Sequence, residues 1–292
     1  IDGAQNLTLS SGGGAINVAQ GIGLTNALSA LTINSAGSGT IEIFDIGDNS
    51  VGVTGATAIG NTSTTTLTLD GTVYKTTGAQ VYTATGGDNI DITNTSNAAF
   101  TTTNTAITFG TANIELANGV DLTLDSGAGA GAITLVAIDG HSSEAVTIDA
   151  GTGATSVGAI GAGTEIGAVT IGSDENGTIT LNGAITTTGA VNLDGPVSLA
   201  TGAITVDSSA GDAAINFLHT IDGAQNLTLS SGGGAINVAQ GIGLTNALSA
   251  LTINSAGSGT IEIFDIGDNS VGVTGATAIG NTSTTTLTLD GT

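Results

Sequence analysis

Carboxylates are the residues of this sequence best suited to do chemistry. Asp occupies the last position of several recurring four-residue blocks, among them LTLD at 122 and VTID at 146. If these blocks are strands of neighbouring coils, Asp125 and Asp149 lie about 4.8 Å apart across a β-ladder. Two carboxylates this close repel each other unless a proton or a cation bridges them, and calcium accepts carboxylate oxygens readily. The spacing therefore predicts a calcium site at this pair.

Two acidic turns are further calcium candidates. Asp45 and Asp48 share the turn DIGDN, and Asp174 and Glu175 share the turn GSDENG. The sequence has neither an EF-hand loop nor the glycine- and aspartate-rich nonapeptide that binds calcium in β-rolls. Solvated surface carboxylates therefore remain the alternative, and no other cofactor is expected.

Catalytic constellations are scarce. The chain has two histidines, His141 and His219, no Cys, no Arg and a single Lys, Lys75. Polysaccharide lyases built on β-helices resemble one another in placing Arg or Lys beside clustered carboxylates, which this chain cannot easily supply. A glycosidase needs only two carboxylates, but an active site copied in every repeat of a plain tube is less expected than a scaffold. We expect no enzymatic activity.

Charge narrows the range of partners. The chain has 24 acidic residues against one basic residue, a formal net charge of −23 and a pI near 4.1. Nucleic acids and anionic membranes are poor partners for such a surface, because binding phosphate requires Lys or Arg. No stretch approaches the ~18 consecutive apolar residues of a membrane helix. We expect neither nucleic-acid binding nor membrane insertion by this segment.

The chain contains a long internal repeat. Residues 221–292 repeat residues 1–72 without a difference. We therefore interpret 1–220 as one full tandem unit and 221–292 as the start of the next identical unit, continuous with the first. In repeat proteins each unit covers its neighbour, so the expected partners are adjacent repeats of the same chain and other copies in a filament.

A shorter pattern recurs inside the unit. The blocks alternate apolar and polar residues, as a strand with one buried face does; they are LTLS at 7, LTIN at 31, LTLD at 67, IDIT at 90, LTLD at 122, VTID at 146, VTIG at 169, VNLD at 191 and LTLS at 227. Most spacings are 22 to 24 residues, and we interpret the steps of 32 and 36 as coils with an extra loop or strand. Further strand candidates are AINV at 15, IEIF at 41, ITFG at 107, ITLV at 133, ITLN at 179 and ITVD at 204.

The pattern predicts a right-handed parallel β-helix, a β-solenoid with about eight coils in the tandem unit 1–220. One apolar column would point inward, made of Leu7, Leu9, Leu31, Ile33, Leu67, Leu69, Ile90, Ile92, Leu122, Leu124, Val146, Ile148, Val169, Ile171, Val191 and Leu193. The polar residues between them would point outward and form a ladder that is mostly Thr; they are Thr8, Thr32, Thr68, Asp91, Thr123, Thr147, Thr170 and Asn192. The alternative fold, tandem immunoglobulin-like sandwiches, requires units of ~100 residues, whereas the blocks recur far more often and aromatic residues make up only 2% of the chain.

Several longer phrases resemble a known family. They are TTGAQVYTA at 76, NIDITN at 89, GVDLTLDSGAGAGAITL at 119, GTITLNGAITTTGAVNLDG at 177 and TGAITVDSSAGDAAINF at 201. In these the chain resembles the giant β-strand-repeat adhesins of Gram-negative bacteria, which are related in style to filamentous haemagglutinin and to autotransporter passenger domains. The resemblance implies a secreted β-helix at the bacterial cell surface. A secretion domain and a receptor-binding module of that family are missing from this sequence.

The expected function is the structural shaft of an extracellular fibre or giant surface adhesin. Two alternatives remain open. An exposed face of the solenoid could bind host cells or glycans, or the outer Thr ladder could bind ice. Ice binding requires two parallel Thr columns, whereas the positions that flank the ladder hold a mixture of residues. The coils could instead belong to a surface-layer lattice.

Overall fold

The computed structural model describes residues 1–48, 50–87, 89–141, 143–172, 177–257, 259–268 and 272–291. Nearly all of their regular structure is β, and parallel strands stack as a β-solenoid of about 11 turns. A single 3-10 turn, Ser209–Gly211, is the one helical element in this part of the chain. The predicted parallel β-solenoid is confirmed. The immunoglobulin-like alternative is excluded, because those sandwiches consist of antiparallel sheets.

The chain divides into two compact units. Unit 1 comprises Ile1–Gly140 and Thr147–Ala154, and unit 2 comprises His141–Val146 and Thr155–Thr292. The strands up to residue 140 are β1 (Asn6–Ser11), β2 (Ile16–Val18), β3 (Ala30–Ser35), β4 (Thr40–Ile43), β5 (Thr57–Gly60), β6 (Thr66–Leu69), β7 (Val73–Lys75), β8 (Gln80–Thr83), β9 (Asn89–Ile92), β10 (Ala98–Thr101), β11 (Ile107–Gly110), β12 (Asn113–Leu116), β13 (Leu122–Asp125), β14 (Ile133–Thr134) and β15 (Ile138–Asp139). The remaining strands are β16 (Ala145–Asp149), β17 (Thr155–Val157), β18 (Ala168–Ile171), β19 (Ile179–Leu181), β20 (Ile185–Thr186), β21 (Val191–Leu193), β22 (Val197–Leu199), β23 (Ile204–Asp207), β24 (Ile215–Phe217), β25 (Ile221–Asp222), β26 (Asn226–Ser230), β27 (Ile236–Ile242), β28 (Ala250–Asn254), β29 (Thr260–Ile266), β30 (Thr277–Ile279) and β31 (Thr286–Leu289).

Unit 1 has three walls, each a ladder of parallel strands that the chain visits in turn. Ladder A contains β1, β3, β5, β8, β11 and β14. Ladder B contains β2, β4, β6, β9, β12 and β15. Ladder C contains β7, β10 and β13, preceded by single bridges at Ile22 and Ile46. Ladder A makes five steps between Leu7 and Ile133, so at this rate the tandem unit 1–220 makes about nine turns, close to the eight predicted.

Unit 2 is built in the same way. Ladder D contains β17, β19, β22, β25 and the last residues of β27 and β29. Ladder E contains Ile160, β20, β23, β26, β28 and β30. Ladder F contains β18, β21, β24, the first residues of β27 and β29, and β31.

The predicted inward residues do form core. Fourteen of the sixteen are buried, and only Leu7 and Leu9, on the first strand, are partly exposed. The intervening residues, such as Thr123 and Thr170, are half-buried. Successive side chains of a strand point to opposite faces, so apolar residues at every second position fill the interior.

The single predicted column is wrong, because the blocks lie on different walls. In unit 1 the blocks at 7 and 31 are on ladder A, those at 67 and 90 on ladder B, and the one at 122 on ladder C. In unit 2 the blocks at 169 and 191 are on ladder F, whereas the one at 227 is on ladder E. The long steps from 31 to 67 and from 90 to 122 are therefore one turn plus one wall, and the step from 191 to 227 is one turn plus two walls. They contain extra strands, as one of the two interpretations had it, and not an extra loop. The predicted Thr ladder is divided among the walls in the same way.

The corners between walls are closed by small residues and by hydroxyls. β5 ends at Gly60 with φ 76°, and a Cβ there would lie 2.0 Å from the carbonyl oxygen of Thr83 on the next coil. At another corner the buried Ser126 Oγ donates to the Gly131 carbonyl oxygen at 2.6 Å. The Ser126 hydrogen bond gives a partner to a backbone carbonyl group that lies outside the strands.

Candidate functional site

The predicted calcium pair lies on neighbouring coils of unit 1. The Ser126 amide donates to the Asp149 carbonyl oxygen at 3.0 Å, so the residues after Asp125 lie beside Asp149. Each carboxylate also closes its own turn: Asp125 Oδ1 accepts the Gly127 amide at 2.7 Å, and Asp149 Oδ1 accepts the Gly151 amide at 2.9 Å. This Asx-turn geometry explains both aspartates without a cation. Calcium binding by the pair stays a prediction.

Of the two acidic turns predicted as calcium candidates, only the one with Asp45 and Asp48 has its carboxylates within the described residues. Asp45 Oδ1 accepts the amides of Thr72 and Val73 on the next coil, at 2.7 and 3.0 Å. Asp48 is exposed. Asp174 and Glu175 lie outside the described residues. Within the part of the chain that the structure describes, no three His, Asp or Glu side chains are grouped so as to hold a metal ion.

Carboxylates that join one coil to the next were not anticipated. Asp2 Oδ1 accepts the Thr25 and Asn26 amides at 2.8 and 3.1 Å. Its counterpart in the second copy, Asp222, accepts the Thr245 and Asn246 amides at 2.8 and 2.9 Å. The hydrogen bonds from Thr25 and Asn26 lower the pKa of Asp2. Aspartate thus serves repeatedly as the acceptor for turn amides about one coil further along.

A column of carboxylates also runs along ladder B. Asp91 pairs with Glu115, and Glu115 pairs with Asp139, so three acidic residues stand on consecutive strands. Burial raises the pKa of the Asp91 carboxyl. Sequence reasoning missed this column, because Glu115 and Asp139 fall outside the recurring blocks.

The least expected feature is a block of buried rings in unit 1. Tyr74, Tyr82, Phe100 and Phe109 are fully buried and are four of the seven aromatic residues of the chain. Phe100 pairs with Tyr74 and Phe109 with Tyr82, and the paired rings stack at centroid distances of 4.3 and 4.9 Å. The Phe100 ring meets those of Tyr82 and Phe109 edge-on, both at 5.2 Å. The core of these coils is therefore aromatic, whereas the predicted inward column contains only Leu, Ile and Val.

A buried amide lies among the rings. Gln80 Nε2 donates to the carbonyl oxygens of Tyr74 and Thr101 at 2.8 and 2.9 Å, and to Thr76 Oγ1 at 3.1 Å. Gln80 Oε1 accepts the Tyr82 hydroxyl at 3.0 Å. Burial raises the pKa of both tyrosines, so their hydroxyls stay protonated at neutral pH. We call Tyr74, Gln80, Tyr82, Phe100 and Phe109 the aromatic block.

Thr57 pairs with Gln80 on the neighbouring strand of ladder A. Its side chain is buried, and its Oγ1 has no hydrogen-bond partner within the described residues. A buried hydroxyl without a partner is costly and therefore uncommon in folded proteins.

The histidines take part in local contacts. In unit 2 His219 Nε2 lies 3.2 Å from Asp194 Oδ1, and its Nδ1 lies 3.3 Å from Gln240 Nε2. The His141 amide donates to Oε2 of the buried Glu144 at 2.6 Å, and the Ser143 amide donates to the same oxygen at 3.1 Å. Glu144 thereby closes its own loop.

Comparison of the chain with protein-family models, with curated proteins and with solved structures finds no match. In the part of the chain that the structure covers, no helix is long and apolar enough to cross a membrane. The β-solenoid fold is compatible with a structural or adhesive repeat protein.

Proposed function

We propose that this chain is a section of the shaft of an extracellular bacterial fibre or giant surface adhesin. Its coils would supply length, and recognition would belong to other parts of the assembly. The proposal makes the chain a scaffold without enzymatic activity.

The observation that carries the proposal is the matched pairing of the two identical copies. Leu7 pairs with Leu31 in unit 1, and Leu227 pairs with Leu251 in unit 2. The following strands match too: Ile41 pairs with Leu67, as Ile261 pairs with Leu287. The same sequence therefore makes the same coils wherever it recurs, which is what a tandem array requires.

Each coil also depends on the next one for burial. Leu67 and Leu69 are 0% exposed, because Ile90 and Ile92 of the following strand cover them. The same residues in the second copy, Leu287 and Leu289, are 44% and 60% exposed, and β31 has no following strand among the described residues. Stacking on a neighbour thus provides a large part of the apolar burial, as expected of a protein that gains stability by adding repeats.

Composition is consistent with a long soluble fibre, and the resemblance is the support for the extracellular placement. A formal net charge of −23 keeps a long assembly soluble by mutual repulsion. The resemblance to giant bacterial adhesins adds the cell surface as the location.

Chains of one, two and four tandem units test the proposal. Nine turns at a strand spacing of ~4.8 Å add about 43 Å of length for each 220-residue tandem unit. Small-angle scattering or electron microscopy should show a thin particle that lengthens by this increment at constant cross-section. Compact particles, or beads on flexible joints, would contradict the shaft.

A further inference from the structure

Nearly identical strands create an ambiguity of register. The blocks of the solenoid repeat the same alternation of Leu, Ile or Val with a polar residue, mostly Thr. Most inward apolar side chains stack on other apolar side chains, and ladder A departs from this where Leu31 stacks on Thr57 and Ile107 on Gln80. A ladder displaced by one coil would still place apolar residues on apolar residues. Hydrophobic burial alone therefore distinguishes poorly between the correct neighbour and the next one. A correct fold requires some feature that does not recur from coil to coil.

The aromatic block is such a feature. Tyr74 stacks on Phe100, and Phe100 pairs on its other side with Leu124. If ladder C were displaced by one coil, Tyr74 would face Leu124 and lose its stacked partner. Paired rings are stabilised beyond the area that they bury, so the displaced arrangement is weaker.

The buried amide reinforces this choice. Gln80 Nε2 bonds to the Tyr74 carbonyl oxygen in its own turn and to the Thr101 carbonyl oxygen one coil further on. Its Oε1 accepts the Tyr82 hydroxyl. A displaced coil would break the bond to Thr101 and leave buried polar groups without partners, which is among the most costly errors in a protein interior.

We propose that the aromatic block is the folding nucleus of unit 1 and fixes the register of its coils. In a solenoid each coil contacts only its neighbours, so folding starts at the strongest interface and spreads from there. The block joins strands β7, β8, β10 and β11, which lie within two successive turns of the chain. These contacts close loops of about one coil, so the nucleus forms without first ordering distant parts of the chain.

The time course of refolding tests the proposal in the unmodified full chain. Tyr74 and Tyr82 are the only tyrosines and the chain has no Trp, so intrinsic fluorescence reports on the block alone. On dilution from urea, the tyrosine signal should reach its native value before the far-ultraviolet circular dichroism of the whole sheet does. Pulsed hydrogen exchange should protect the amides of residues 73–110 first. If the tyrosine signal recovers no faster than the sheet signal, or if amides of unit 2 are protected before those of residues 73–110, the proposal is wrong.

A matched pair of variants adds a second readout. Phe100→Leu removes a ring from the block, and Phe217→Leu removes an equally buried ring from ladder F of unit 2. Phe100→Leu should slow the tyrosine phase about tenfold, whereas Phe217→Leu should leave it within about twofold. Equal rates for the two variants would overturn the assignment. If Phe100→Leu does not fold, the order of events in the unmodified chain decides.

Discussion

Replacing Thr57 by Val is expected to stabilise unit 1. The Thr57 Oγ1 is buried without a hydrogen-bond partner among the described residues, so the folded state carries the cost of removing that hydroxyl from water. Val has nearly the same shape and places a methyl group there. Mutational data give about 1–3 kcal/mol for an unsatisfied buried polar group. Allowing for imperfect packing of the new methyl, we expect a gain of about 1–2 kcal/mol.

The internal repeat supplies the control. Thr277 is the same residue in the second copy, with the same neighbours in sequence, but it is exposed. Thr277→Val should therefore change the free energy of unfolding by less than about 0.5 kcal/mol. The comparison removes the contribution of intrinsic strand propensity, because both substitutions lie in equivalent strands, β5 and β30.

Tyrosine fluorescence is the appropriate probe, because the ring of Tyr82 lies one strand from Thr57 and both tyrosines belong to unit 1. For a unit of this size, 1 kcal/mol moves the melting temperature by roughly 2–4 °C. Thr57→Val should therefore raise the midpoint of the tyrosine transition by roughly 2–8 °C. A lower midpoint would mean that the hydroxyl has a partner, such as a bound water, and would refute the reasoning. Because tyrosine fluorescence does not report on unit 2, Thr277→Val is followed by far-ultraviolet circular dichroism, and a shift as large as that of Thr57→Val would refute the reasoning too.

Three further measurements have defined outcomes. Leu124→Asp should abolish the sheet signal in circular dichroism while Thr123→Asp retains it, because only Leu124 is fully buried and burying an unpaired carboxylate costs several kcal/mol; similar losses would contradict the inward assignment. Burial raises the pKa of Asp91, so its carboxyl favours the folded state when protonated, and this contribution is lost as the pH rises through the folded-state value. Asp91→Asn should accordingly raise the melting temperature at pH 7 more than at pH 3, and an equal shift at both values would count against it. If Asp125 and Asp149 bind calcium, millimolar calcium should raise the melting temperature and Asp149→Asn should remove most of that rise; a full response in the variant would assign the effect elsewhere.

The alternation of apolar and polar residues predicted the strands and the direction of their side chains. It did so because burial selects apolar residues at every second position of each wall, as at Leu67 and Leu69. The same alternation could not assign a strand to its wall, because all three walls of each unit follow it. Wall assignment depends on how much chain each corner consumes. The length of a whole turn varies accordingly, from the short one between Ile179 and Val197 to the long one between Gln80 and Ile107.

The polar and aromatic features were less predictable for a different reason. Asp45 and Asp2 accept amides from residues 23 to 28 positions away, so their role depends on which turns become neighbours. A 2% aromatic content describes the average of the chain and conceals that most of the rings lie in two successive turns. Gln80 is polar and has no sequence signal that marks it as buried. Its place in the core follows from the partners that surround it.

The equal pairing of the two copies has a consequence for the gene. Leu7 with Leu31, and Leu227 with Leu251, show that equivalent residues of the two copies have equivalent neighbours. Unequal crossing-over between such copies adds or deletes a whole tandem unit and joins each strand to a neighbour of unchanged sequence. Because nearest coils provide the stabilising contacts, every product of the exchange is able to fold. Alleles of this gene should therefore differ in length by whole multiples of the repeat, and recombination alone can change the number of coils.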